Sequence, residues 1–263
     1  MNWGGICLDI FQKCYNYPLA RELRERGVYP YFHALESRQD VEVVMEGKRR
    51  IMLGSNNYLG LTTCPEVLEA ALEALKQYGT GCSGSRFLNG TLQLHLQLEA
   101  ELADFLHKEA CCTFSKSLAS LGGYCVASET VIDYIRHNSR PFIFSASIPP
   151  ACAATALAAL RHIRSHPELV TRLSELSAYM RRGLRAKGVP IIESTTPIIP
   201  IYTYTVENTL EKARRLYDAG VYVNPVLAPA TPPEQCLLRT SYMATLTEPL
   251  LDEAIEIFGR VLV

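Results

Sequence analysis

The chain has 263 residues, is 48% hydrophobic and 20% charged, and carries a formal net charge of -1. That length allows one large domain or two small ones with a real core. The near-neutral balance and the lack of a basic stripe exclude a nucleic-acid surface, and no stretch has the apolar length of a membrane span. The N-terminal "MNWGGICLDIFQKCYNYPLA" lacks a basic region and a long apolar run, so it does not read as a signal peptide. Trp3, Ile6, Ile10 and Phe11 could make an amphipathic contact there, with a membrane surface or a partner subunit. The nine cysteines include no CxxC and no Cys/His set at zinc spacing. They are therefore expected to be mostly small buried residues of a reducing compartment, without a metal.

In chain order, residues 41–53 predict two short strands around a Glu46-Gly47-Lys48 turn. "GSNNYLGLTTCP" reads as a loop. Pro65 opens a helix at its first turn and Gly79 stops it. "GTGCSGSRFLNGT" is a second loop, able to cradle phosphate but matching neither the dinucleotide nor the Walker fingerprint. The spacing from Leu92 to His107 predicts a helix burying Leu98, Leu102, Phe105 and Leu106. "YCVAS" reads as a strand, "ETVIDYIRHNS" as a helix and "FIFSAS" as a strand. Pro149-Pro150 open a long Ala/Leu helix. After it come a helix over 167–187, strand "IIPIYTYTV", helix "NTLEKARRLYDAG", a short "VYVNP", strand "CLLRTSY" and a closing helix. From about Pro167 onward this alternation describes an α/β module.

Two residues invite chemistry. Lys116 follows Thr113 and Ser115 and precedes Ser117, Ser120 and Gly122-Gly123. Taken by pattern alone it is a polar-loop lysine. The alternative is a lysine that holds a carbonyl cofactor, with hydroxyls nearby for a phosphate. Arg239 shares a strand face with Leu237 and Ser241, and a guanidinium among apolar neighbours needs an anion. A structural carboxylate and a substrate carboxylate fit that need equally well. No pair of carboxylates and no Ser/His/Asp order stands out.

Several segments occur together and in order: "YPYFHALES", "MLGSNNYLGL", "GTGCSGSRFLNGTLQLH", "TFSKSLASLGGY", "FIFSASIPPA", "NPVLAPATPP" and "LLRTSYMATLT". As a set they resemble the α-oxoamine synthases, pyridoxal-phosphate enzymes of the fold type I aminotransferase superfamily. Among these the likeness is strongest to the members that use serine and a long-chain acyl-CoA. The resemblance implies an α/β fold of the type I PLP-transferase kind, cytoplasmic and dimeric. It implies Lys116 as the lysine that carries pyridoxal 5'-phosphate, with Thr113, and more weakly Ser145 and Ser147, on the phosphate. Arg239 would take the amino-acid carboxylate, with Asn56 and Asn57 in a loop near the substrate. The implied reaction removes the α-proton of the amino acid, adds the carbanion to an acyl-CoA thioester and loses the carboxylate, giving a 3-keto amine.

The same resemblance exposes a gap. The family places several strand–helix units between "LEAELADFLHKEAC" and the lysine motif. Those units carry the histidine that stacks on the cofactor ring and the aspartate that pairs with its nitrogen. Here they are absent, a loss on the order of a hundred residues at about 30 per βαβ unit. The expected layout is an N-terminal arm with short strands (1–60), a large-domain remnant with its junction near 111–116 (61–162), and a retained C-terminal small α/β domain (163–263). The large-domain sheet should be incomplete, with exposed edges and apolar surface. Leu246 stands where the family has a histidine. The chain is expected to be impaired as a synthase. The alternative is a non-catalytic, internally deleted homologue that acts only as a dimerising subunit, with itself or with an intact homologue, or that arises as a gene-model artefact.

Overall fold

A computed structural model describes residues 11–263. Of the four residues named for an N-terminal amphipathic contact, Trp3, Ile6 and Ile10 lie outside that range, and Phe11 is exposed. Two short helices, α1 (Gln12–Tyr15) and α2 (Leu19–Glu25), lead into strands β1 (Glu42–Met45) and β2 (Lys48–Met52). Glu46 and Gly47 form the turn between these strands, both with positive φ. Pro65 at the first turn and Gly79 at the end bound helix α3 (Pro65–Tyr78), because proline suits the first turn and glycine accepts the φ of 81° that ends it.

In the glycine-rich loop a one-turn helix forms, α4 (Arg86–Asn89), capped by the Ser85 hydroxyl accepting from the Leu88 N–H. Helix α5 (Gln93–Leu106) then leads to a hairpin of β3 (Ala110–Thr113) and β4 (Gly123–Val126). Helices α6 (Glu129–Asn138), α7 (Arg140–Phe144), α8 (Pro150–Ser165) and α9 (Glu168–Ala186) follow. The chain closes with β5 (Ile198–Tyr204), α10 (Val206–Asp218), β6 (Val221–Tyr222), β7 (Asn224–Val226), β8 (Cys236–Ser241) and α11 (Glu248–Leu262).

Three small sheets result, ordered β1-β2-β6, β3-β4 and β5-β8-β7. The larger core unites both ends of the chain. Val43, Ile51 and Leu53 pack with Leu184, Ile199, Leu238 and Phe258. Strand β2 runs parallel to β6, pairing Ile51 with Val221 and Met52 with Tyr222. A second core lies between α5 and α8, where Leu98 and Leu102 meet Ala153, Ala156, Leu157 and Leu160 around Phe114.

Among the described residues, 61–162 contain no parallel ladder, only the antiparallel β3–β4 hairpin. The large-domain sheet is therefore incomplete, as the resemblance implied. Three expectations change for this reason. "FIFSAS" is not a strand: Arg140–Phe144 is helical. Proline at its first turn favours the helix, and no sheet edge is there to pair it. On α5, Leu98 and Leu102 are buried against α8 but Phe105 is 44% exposed. Of the eight cysteines in the described range, Cys236 alone is buried. Cys111 and Cys112 are exposed on a hairpin that lacks a covering layer.

Candidate active-site remnant

Strand β8 carries Arg239 between two neighbours, opposite Pro200 of β5 and Asn224 of β7. Leu238 and Thr240 point into the core and are fully buried, leaving Arg239 half-buried on the other face. The loop after β2 is laid onto this strand by its backbone. The Ser241 N–H donates to the Leu53 carbonyl at 2.8 Å, and the Ala244 N–H donates to the Tyr58 carbonyl at 2.8 Å. Asn224 Nδ2 donates to the Gly54 carbonyl at 2.7 Å. Gly60 takes a φ of 73° against Thr245, where a Cβ would lie 2.3 Å from the threonine methyl. Only glycine lets the loop come this close.

Arg239 Nη2 therefore donates to Asn56 Oδ1 at 2.9 Å and to Tyr58 Oη at 2.9 Å. Both acceptors are neutral, and Arg239 forms no ion pair among the described residues. Of the two partners left open by the sequence, the structural carboxylate is not there. A half-buried guanidinium held by neutral groups keeps its attraction for a ligand carboxylate. Asn57 lies next in sequence but is turned away. It is buried, its Nδ2 donates to Thr62 Oγ1 at 2.7 Å, and it shapes the loop. Tyr58 was not singled out from the sequence; the signal for it lies in the same "SNNYLGL" segment.

Lys116 lies in the loop of the β3–β4 hairpin. The anchor of that loop is Phe114, which is 2% exposed and stacked on Tyr124 at 5.5 Å. Burial, reinforced by Cys112, pushes the Tyr124 hydroxyl up to about 12. Lys116 itself is exposed, with Nζ donating to Ser115 Oγ at 3.3 Å. Ser115 Oγ also shares a hydrogen bond of 3.1 Å with Thr113 Oγ1. Lysine and two hydroxyls thus cluster, as a cofactor anchor with a phosphate end would require. Ser145 is exposed at the end of α7, and the Ser147 N–H donates to the Gly84 carbonyl at 3.1 Å. Neither serine bonds to the Lys116 loop.

These residues do not form a cradle for pyridoxal phosphate. No Asp or Glu hydrogen-bonds to residues 113–120. The adjoining cavity, of about 600 Å³, is walled by Leu98, Leu102, Tyr124, Val126 and Ile148, and none of Thr113, Ser115 and Lys116 lines it. Nor does any hydrogen bond or ion pair join the Lys116 cluster to the Arg239 cluster. At the cavity rim Glu99 receives Arg86 at 2.6 Å and Arg136 at 2.9 Å. Burial raises the Glu99 carboxyl, but the two guanidiniums outweigh it and bring it below its ordinary value. Leu246 is fully buried in the larger core.

Comparison with known proteins accounts for both the fragments and the gap. Residues 110–258 match the family model described as aminotransferase class I and II. A serine palmitoyltransferase of Sphingobacterium spiritivorum is 31% identical over 378 residues, covering 94% of this chain and 95% of the relative. A serine palmitoyltransferase of Bacteroides thetaiotaomicron is also 31% identical, over 93% of this chain and 96% of the relative. The solved structure of a serine palmitoyltransferase with its PLP internal aldimine superposes with a TM-score of 0.89 at 22% identity, covering 98% of each chain. An alignment of 378 positions is longer than the 263 residues available, so the relative has a long stretch with no counterpart here. The chain belongs to the α-oxoamine synthase family of pyridoxal-phosphate-dependent class I and II aminotransferases, and it is an internally shortened member.

Proposed function

We propose that this chain derives from a synthase that condenses L-serine with a long-chain acyl-CoA, with loss of carbon dioxide, to a 3-keto amine, and that the chain alone is impaired in it. The observation that carries the reading is the split of the site. The carboxylate end persists: Arg239 is held on Asn56 and Tyr58 and left without an anionic partner. The cofactor end keeps Lys116, Thr113 and Ser115 but has no cradle around them. Serine as the amino acid and a long-chain acyl-CoA are supported by the relatives' names. A cytoplasmic location accords with the fact that no helix among the described residues is long and apolar enough to cross a membrane.

Pyridoxal phosphate, where it binds, supplies the electron sink for a carbanion at the amino-acid α-carbon. In this chain Arg239 would bind and orient the carboxylate, and Asn56 and Tyr58 would hold the guanidinium in place. The experiment is a chimera in which the absent block of a serine palmitoyltransferase is inserted between Ser115 and Lys116. The reading expects the chimera to release coenzyme A from palmitoyl-CoA in the presence of serine, and Arg239→Ala to abolish that release. A folded chimera that binds pyridoxal phosphate yet stays inactive would contradict it.

One observation favours a second reading, that of a dimerising subunit. Leu68, Leu72 and Leu75 form an exposed stripe on α3, between 38% and 44% accessible. At i, i+4 and i+7 they share one helix face, as a partner-facing surface would. Sedimentation of the chain alone and with an intact relative tests the subunit reading, and a monomer in both mixtures would contradict it.

A further inference from the structure

The packing of α3 on α8 gathers three side chains that the reaction does not use. Cys64 is the N-cap residue of α3, and Glu66 lies in its first turn. His162 belongs to the last turn of α8. One ligand atom from each falls within 4.8 Å of the others. Cys64 Sγ is 2.9 Å from Glu66 Oε2 and 3.9 Å from His162 Nδ1. Donors bound at about 2.0–2.3 Å in a tetrahedron around zinc stand roughly 3–4 Å apart. The cluster already has nearly that spacing.

We propose that Cys64, Glu66 and His162 form a binding site for a divalent transition metal of the zinc class, with water as the fourth ligand. Thiolate, carboxylate and imidazole together suit zinc better than magnesium or calcium, which take oxygen alone. Burial and the Glu66 carboxylate push the Cys64 thiol above its ordinary value, so the cation itself must displace the thiol proton. The carbonyl end of α8 favours a cation beside His162. The His166 ring stacks on His162 at 4.1 Å and fixes its orientation. His166 Nδ1 is bonded to the His162 carbonyl at 3.0 Å, which ties the stacked ring to the helix end.

Without metal the Cys64 S–H donates a hydrogen bond to the Glu66 carboxylate. Metal binding would replace that bridging proton: the thiol proton leaves to solvent, and sulfur, carboxylate oxygen and ring nitrogen each form one bond to the cation. No oxidant or reductant is needed. Cys64 and His162 lie 98 positions apart, which is why no zinc spacing shows in the chain. The site is separate from the Lys116 and Arg239 clusters, so it stands whether or not the synthase reading does.

The test is anaerobic titration of the reduced, chelator-treated chain with cobalt(II), a spectroscopic stand-in for zinc. A thiolate-to-cobalt charge-transfer band should saturate at one equivalent and be abolished by zinc. Cys64→Ser should remove the band, and His162→Gln should weaken binding by about tenfold or more. Circular dichroism confirms that both variants fold. Cys111→Ser with Cys125→Ser should leave the band unchanged. A band that survives Cys64→Ser, that disappears only with Cys111 and Cys125, or that never forms would overturn the proposal.

Discussion

The Arg239 guanidinium donates to the Asn56 side-chain oxygen at 2.9 Å across 183 residues of chain. The bond joins the loop after β2 to the central strand of the C-terminal sheet, so the first and last thirds of the chain meet there. It also explains why an arginine can stay half-buried without a carboxylate. Asn56 and Tyr58 take the two hydrogens of Nη2, and the charge stays available to an anion.

A double-mutant cycle checks that relationship. Arg239→Ala and Asn56→Ala should each lower the urea midpoint, and their effects should be coupled by about 0.5–1.5 kcal/mol. Simple additivity would mean that the bond does not form in solution.

The hairpin loop depends on Phe114. Its ring is nearly inaccessible, stacks on Tyr124 and packs in the core between α5 and α8. Phe114→Ala should cost about 3 kcal/mol or more, read from urea unfolding. Lys116→Ala, at an exposed position, should change stability by no more than about 0.5 kcal/mol. This contrast identifies Phe114 as what shapes the loop, with the lysine contributing little.

Acid should weaken the α5 region through His95. Its ring is buried and Nε2 bonds to the Ile148 carbonyl at 3.0 Å. Desolvation holds the imidazole below its ordinary value of 6.5, and nearby Arg86 adds to the effect. The folded state then binds fewer protons than the unfolded chain between those two values. The stability is present above pH 6.5 and is lost as pH falls toward the folded value. Urea midpoints from pH 7.5 to 5 should therefore fall, and His95→Gln should flatten the slope. An equal slope in the variant would contradict this.

Cys111 and Cys125 face each other across the β3–β4 ladder, with their sulfurs 2.7 Å apart. A small disulfide such as oxidised glutathione should link them by exchange: one sulfur forms a mixed disulfide, the other displaces it, and two equivalents of reduced thiol leave. Peptide mass mapping should find the Cys111–Cys125 bridge. Persistent mixed disulfides on both residues would show that the strands are not paired in solution.

The elements that rest on local signals were legible in the sequence. Pro65 and Gly79 bound α3, the turn at Glu46-Gly47 separates β1 from β2, and the alternation along β8 places Leu238 inside and Arg239 outside. What depended on an absent neighbour was not. "FIFSAS" has strand-like composition, but a strand needs an edge, and without one Pro141 favours the helix. Phe105 and the hairpin cysteines have the chemistry of buried residues and nothing to bury them. Lys116 and Arg239 are proposed for the site through their motifs. The turning of Asn57 into its loop, the presence of Tyr58 on Arg239 and the meeting of Cys64 with His162 arise from tertiary packing. No spacing encodes them.

We propose that this chain keeps Lys116 and the carboxylate-binding Arg239 but lacks the cradle that makes them a catalyst. The most direct measurement incubates the purified chain with pyridoxal phosphate, L-serine and palmitoyl-CoA. Coenzyme A release and the 3-keto amine are followed by mass spectrometry, with an intact serine palmitoyltransferase alongside. Product is expected from the intact enzyme and none from this chain above a Lys116→Ala control. Serine-dependent product that vanishes in Lys116→Ala would contradict it.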